Sequence, residues 1–235
     1  LLIFSCIVLL ILPLALALAS PAQAASAQKT AQQSVSEALR EALGHRSYVY
    51  LVLGFFTCGF QVFFITVHLP AYLVDRGLPT EVGALTIAMI GLFNIIGSVT
   101  AGYLSNKMSK RYILAAIYFL RSVATVIFIF IPATAVTSVV FGAVMGLLWL
   151  STVPPTNALV AIMFGTRWLT MLAGFAFFSH QVGGFLGVWL GGVMFERTGS
   201  YDLIWWISIL LGLLSAAINL PIKETPVVRP AAATA

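Results

Sequence analysis

Seven stretches of this chain are apolar for about twenty residues each, and no other feature constrains its fold as tightly. They run Leu1–Ala19, Tyr48–Val74, Gly83–Leu104, Tyr112–Ile131, Thr137–Phe164, Leu169–Phe195 and Leu203–Ile222. A hydrocarbon core of about 30 Å takes roughly 20 helical residues to cross, at about 1.5 Å each. Lipid satisfies no backbone polar group, so each run must be a helix; barrel strands would alternate in polarity, and these runs do not. The expectation is an all-α polytopic membrane protein with seven transmembrane helices.

Composition excludes the alternatives. Only 8% of the 235 residues are charged, against about 25% in a soluble domain, and the mean hydropathy is +1.03. Such a chain cannot coat a soluble particle. The pI of about 9.5 does not indicate nucleic acid, because the bases come in ones to threes between apolar runs with no aromatic interleaving. They read instead as topology signals. One set of connections carries Lys29, Arg40, Arg46, Lys107, Lys110, Arg111, Arg167, Lys223 and Arg229; the alternate set carries only Arg76 and Arg197. The first set is therefore expected in the cytoplasm, with the C-terminus.

Leu1–Ala19, followed by small residues, also admits reading as a signal peptide, although it has no basic leader. Cleavage there would place the basic segment that follows outside, so a transmembrane helix is the preferred expectation, in a truncated gene product. Residues 20–47 form the one long hydrophilic segment. Ser34 and Glu37 make a capping-box pattern, and Val35, Ala38, Leu39, Ala42 and Leu43 recur at helical spacing before Gly44. A short amphipathic helix is expected there, within a cytoplasmic linker, and residues 223–235 are expected to form a cytoplasmic tail.

Residues able to do chemistry inside the spans are few. No Asp or Glu lies within a run, and Arg121 is the one full charge. An intramembrane guanidinium is costly unless paired, and its planar fork suits a carboxylate, so Arg121 is the leading contact for an anionic solute. Helix capping is the competing role. Gln61, Asn94 and Asn157 are further candidates to line a binding cavity. His180 and His68 can carry a proton near neutral pH, or can simply bridge helices. Pro154 and Pro155 should kink or break the fifth run, and Gly183, Gly187 and Gly191 allow close approach of a neighbouring helix. Gly91, Gly97 and Gly102 suggest the same. Cys6 and Cys58 have no metal or redox spacing. An enzyme is not expected: Ser98 and His180 lack a nucleophile elbow, and no paired-histidine zinc motif, phosphate loop or carboxylate pair occurs. No cofactor or metal is implied.

Gly102-Tyr103-Leu104-Ser105-Asn106-Lys107-Met108-Ser109-Lys110-Arg111 resembles the cytoplasmic loop motif of the major facilitator superfamily. Asn106 stands where Asp is commoner and Ser109 where Gly is usual, as in the weaker second copy between helices eight and nine. His68-Leu69-Pro70-Ala71-Tyr72-Leu73, Ser179-His180-Gln181-Val182-Gly183 and Thr198-Gly199-Ser200-Tyr201-Asp202 are similar to segments of bacterial monocarboxylate-transporter-like members. The resemblance implies that residues 1–19 are family helix six, the last of an N-terminal bundle, and that residues 48–222 are the six-helix C-terminal bundle. Gly102, Asn106, Lys107, Lys110 and Arg111 would be the gating motif. The Asp and Arg one turn apart in helix eight of animal monocarboxylate transporters correspond approximately to Asn94 and Ser98, so that ion pair is absent and Arg121 is the expected anion contact. The implied activity is secondary transport of a small solute by alternating access, driven by a solute or proton gradient, with a monocarboxylate-like organic anion as the candidate solute and symport with a proton as the candidate coupling. The implied partners are the lipid bilayer and a missing N-terminal bundle, with no nucleic acid, and the implied location is the bacterial inner membrane. The competing class is a non-transporting receptor, assembly or regulatory protein on the same scaffold.

Overall fold

The computed structural model describes residues 33–227. The first apolar run, Cys6, Lys29, the earlier part of the linker and Arg229 lie outside the described residues. Among the described residues there are eight helices and no strand: α1 (Val35–Gly44), α2 (Arg46–Asp75), α3 (Thr80–Lys107), α4 (Lys110–Phe130), α5 (Ala135–Leu148), α6 (Val153–Phe164), α7 (Leu169–Thr198) and α8 (Asp202–Asn219). With α5 and α6 counted as one crossing, six segments are long and apolar enough to span a membrane. Residues 35–227 belong to one unit.

Short connections make consecutive spans run in opposite directions. Gly77 (φ 82°) turns the chain between α2 and α3, and Gly199 (φ 68°) closes α7, its N–H donating to Phe195 O at 2.8 Å. Both occupy the left-handed region that favours glycine. Arg46, Lys107–Arg111, Arg167 and Lys223 consequently gather at one end of the bundle, hereafter the basic end. Arg76 and Arg197 lie at the other. On α1, Ala38 and Ala42 are buried while Val35 and Leu43 are exposed, so the stripe that meets the bundle is narrower than its apolar spacing suggests.

Three helix pairs build the bundle: α2 against α7, α3 against α5, and α4 against α8. The α2–α7 seam is the tightest. A Cβ on Gly183 would stand 2.0 Å from Phe56 O, and one on Gly187 2.5 Å from Phe60 O. Gly97 plays the same part between α3 and α5, whereas Gly91 has nothing within 4 Å, so the run of α3 glycines is not a uniform seam. At the far end from the basic residues an aromatic cluster joins α2, α4, α5 and α8. Phe64 meets Trp205 edge-on at 4.7 Å, and Phe128 stacks on Phe141 at 4.0 Å. Hydroxyls and amides supply the remaining glue, with Gln61 Nε2 donating to Ser208 O at 2.9 Å and Ser215 Oγ donating to Thr57 Oγ1 at 2.7 Å.

The fifth span is interrupted before its prolines rather than at them. α5 stops at Leu148 and α6 starts at Val153, with both prolines in the first turn of α6. A proline ring excludes the carbonyl four residues earlier and offers no N–H. Pro154 and Pro155 therefore act against Leu150 and Ser151, within the gap. Inside α6 the missing N–H groups cost nothing, because a helix's first turn has no internal acceptors for them.

Candidate functional site

A break in mid-bundle leaves backbone groups without helical partners, and where lipid surrounds the protein they must be met by side chains. Arg121 meets the carbonyls. It is 0% exposed on α4; Nε donates to Leu148 O at 3.0 Å, and Nη2 donates to the Leu148 and Trp149 carbonyls. The guanidinium so sits at the C-terminal end of α5, where the helix dipole is negative. Asn94 on α3 meets the donor side: its Oδ1 accepts from Leu150 N–H at 3.0 Å and from Ser98 Oγ at 3.2 Å. Arg121 and Asn94 thus hold opposite polar groups of one break.

The other edge of the guanidinium is held loosely. Nη1 donates to Cys58 Sγ at 3.4 Å and to Gln61 Oε1 at 3.5 Å, both on α2. Cys58 is 0% exposed and also lies 3.3 Å from Thr152 Oγ1, in the break. Tyr118, one turn before Arg121, places its ring 5.7 Å from the guanidinium carbon. No carboxylate among the described residues pairs with Arg121.

His180 reaches this cluster from α7. It is 3% exposed and packs among Phe55, Phe63 and Phe177, the last stacked on it at 5.2 Å. Its Nδ1 lies 3.1 Å from Gln181 Oε1, and among the described residues its buried Nε2 has no hydrogen-bond partner. Gln181 in turn lines an open cavity of about 520 Å³ with Phe63, Gly184, Phe185, Val188 and Trp189. Thr152 was not singled out from sequence, Cys58 was set aside for want of metal or redox spacing, and Gln181 figured only in the segment of resemblance around His180. Cys58 is a small apolar-looking residue in an apolar run, and only tertiary packing sets it beside Arg121.

The structure does not gather all the expected residues. His68 is half-buried towards the other end, its Nε2 2.9 Å from Val188 O and its ring 5.3 Å from Tyr201. Asn157 is exposed on α6, and no hydrogen bond joins it to the cluster. The loop residues form a separate group at the basic end. Asn106 and Lys107 are exposed, Lys107 lying 4.4 Å over the Tyr103 ring, and a Cβ on Gly102 would meet Pro154 at 3.9 Å. Lys110 and Arg111 converge on a residue sequence reasoning passed over, Glu224 in the segment after α8. Its Oε1 accepts from Ser109 Oγ at 2.6 Å and from Arg111 N–H at 2.9 Å, and its Oε2 lies 3.9 Å from Lys110 Nζ. The carboxylate caps the N-terminus of α4, where the helix dipole favours an anion. Arg111 Nη1 also donates to Ile222 O at 3.4 Å, and Lys223 N–H donates to Ser47 Oγ at 3.0 Å. An acid just past the last span, opposite a basic loop, is the signal that could have revealed this clasp.

The family model described as Major Facilitator Superfamily matches residues 1–188. The uncharacterized MFS-type transporter YcxA of Bacillus subtilis (strain 168) is 34% identical over 175 residues, covering 72% of this chain and 42% of that protein. Monocarboxylate transporter 12-B of Danio rerio is 25% identical over 145 residues, covering 60% of this chain and 30% of that protein. The chain thus aligns with less than half the length of each relative.

Proposed function

Because the chain belongs to the major facilitator superfamily, we propose that it supplies one bundle of a secondary transporter that carries a small organic anion by alternating access. The observation that carries this reading is the capped break in the fifth span. Non-helical backbone at membrane depth is tolerated where it is enclosed by protein or borders an aqueous path, and interrupted helices in transporters mark the solute route. Arg121 provides the only full positive charge away from the ends of the described spans, and its Nη1 edge is held by the two long contacts to Cys58 and Gln61. A carboxylate can displace those contacts while Nε and Nη2 keep the break in place. A monocarboxylate is the simplest solute that fits one guanidinium edge, and the name of the Danio rerio relative is in keeping with it.

The reading extends to a second six-helix bundle as partner, a proton as coupling ion, a cytoplasmic C-terminus in a bacterial inner membrane, and the Gly102–Arg111 loop with Glu224 as a gate at the cytoplasmic face. The test is uptake of radiolabelled pyruvate by liposomes containing the complete transporter under an imposed pH gradient. Uptake should be lost in Arg121→Gln and retained in Asn157→Ala. Undiminished uptake in a folded Arg121→Gln protein defeats the anion contact, and absence of flux for every monocarboxylate offered defeats the substrate class.

A further inference from the structure

We propose that the groove between α3 and α4 holds one acyl chain of an anionic phospholipid, whose phosphate is bound by Lys107 and Arg111 at the basic end. α3 packs on α5 and α4 on α8, so the two helices part although only Met108 and Ser109 join them. The gap between them is a cavity of about 510 Å³, floored by Leu147 and Leu148 and walled by Leu104, Ala116 and Leu120. Its two aliphatic hydroxyls are turned onto backbone carbonyls, Thr100 Oγ1 donating to Ile96 O at 2.7 Å and Ser151 Oγ donating to Leu147 O at 2.6 Å. Below the mouth, no hydroxyl proton is left for a polar occupant. From Tyr112 to Leu120 the groove follows about 12 Å of helix, at about 1.5 Å per residue. That is close to the depth of one leaflet in a hydrocarbon core of about 30 Å.

The mouth has the opposite character. Tyr103 and Tyr112 are 57% and 51% exposed, as amphipathic rings at headgroup level should be. Each carries a base. Lys107 Nζ lies 4.4 Å over the Tyr103 ring and donates to its hydroxyl. The Arg111 guanidinium lies 4.6 Å over the Tyr112 ring, and its Nη2 donates to that hydroxyl at 3.0 Å. The other side-chain bonds of Arg111 are long, to the Leu220 and Ile222 carbonyls at 3.5 and 3.4 Å. Among the described residues neither base forms an ion pair, because Glu224 is taken up by Ser109, the Arg111 amide and Lys110. Two unneutralised cations beside an apolar slot suit a headgroup of net negative charge. A zwitterionic headgroup would bring its own cation against them. The groove and its mouth thus match both halves of one molecule, which neither free phosphate nor an apolar helix can supply.

The test uses the full chain in phosphatidylcholine vesicles containing a trace of phosphatidylglycerol with a diazirine midway along one acyl chain. After illumination, mass spectrometry maps the labelled residues. Label should concentrate at Leu104, Ala116 and Leu120, and a phosphatidylcholine probe with the same diazirine should not favour them. Lys107→Gln and Arg111→Gln should each lower groove labelling about fivefold. Arg167→Gln, which removes a charge from the same end outside the groove, should leave it unchanged. Ala116→Phe should block the groove while keeping both bases. Equal labelling by the two probes overturns the site, as does a loss in Arg167→Gln matching that in Lys107→Gln. A groove left unlabelled by both probes overturns it too and assigns that surface to protein. Should a variant not fold, the comparison of the two probes in the unsubstituted chain decides alone. No solute is added, so the outcome is independent of whether the chain carries an anion.

Discussion

Arg121 shows how a single residue can be conspicuous in a sequence and still conceal its role. A lone charge in twenty apolar residues is visible at once, but the groups it binds are the carbonyls of Leu148 and Trp149. Carbonyls occur at every position, so no residue pattern points to them. Replacing Arg121 with Met should leave those acceptors unpaired at a cost of about 1–3 kcal/mol each, read as a lowered unfolding temperature in detergent. Arg121→Lys should recover part of the loss, since one ammonium reaches a carbonyl but lacks the fork. Asn94→Ala exposes the matching donor, and the Leu150 amide should exchange faster with deuterium while amides in α8 do not change. Asn94→Asp, which keeps the acceptor, should protect that amide. Equal exchange in both variants would remove Asn94 from the capping scheme.

Among the helices, those set by length and hydropathy were legible, because lipid admits few alternatives to a helix of about twenty apolar residues. The interruption was legible only in part. Pro154 and Pro155 announce it, yet the gap opens at residues 149–152, because a proline acts on the turn before it. Gly183 and Gly187 were legible as a seam, but not that α2 is the helix they receive. Gly183→Ala or Gly187→Ala should drive Phe56 O or Phe60 O away and destabilise the bundle by about 1–3 kcal/mol. Gly192→Ala, with nothing within 4 Å, should be neutral or stabilising by up to about 1 kcal/mol. Thermal unfolding of the three variants checks the contrast. At the α4 N-terminus, Glu224→Gln weakens an anion's interaction with the helix dipole worth about 0.3–1 kcal/mol, and faster exchange at the Arg111 amide should report it.

For the molecule as a whole, the charge asymmetry predicts one orientation. A membrane-impermeant maleimide should reach Thr225→Cys and Met108→Cys only after the cytoplasmic side is opened, and Gly77→Cys and Ser200→Cys from the intact cell surface. The reverse pattern would invert the topology read from Arg46, Lys107, Lys110, Arg111, Arg167 and Lys223. The Arg121–Leu148 bond, which links positions 27 residues apart, carries a consequence for biogenesis. An arginine at the centre of a lone helix costs about 2.5–3.5 kcal/mol on insertion scales, and its acceptors are synthesised only after α4 is complete. α4 should therefore stay at the insertion machinery until α5 joins it, and the two should enter the bilayer as a hairpin. In nascent chains halted before α5, α4 should crosslink to the insertion machinery; in chains extended well past Trp149 it should crosslink to lipid instead.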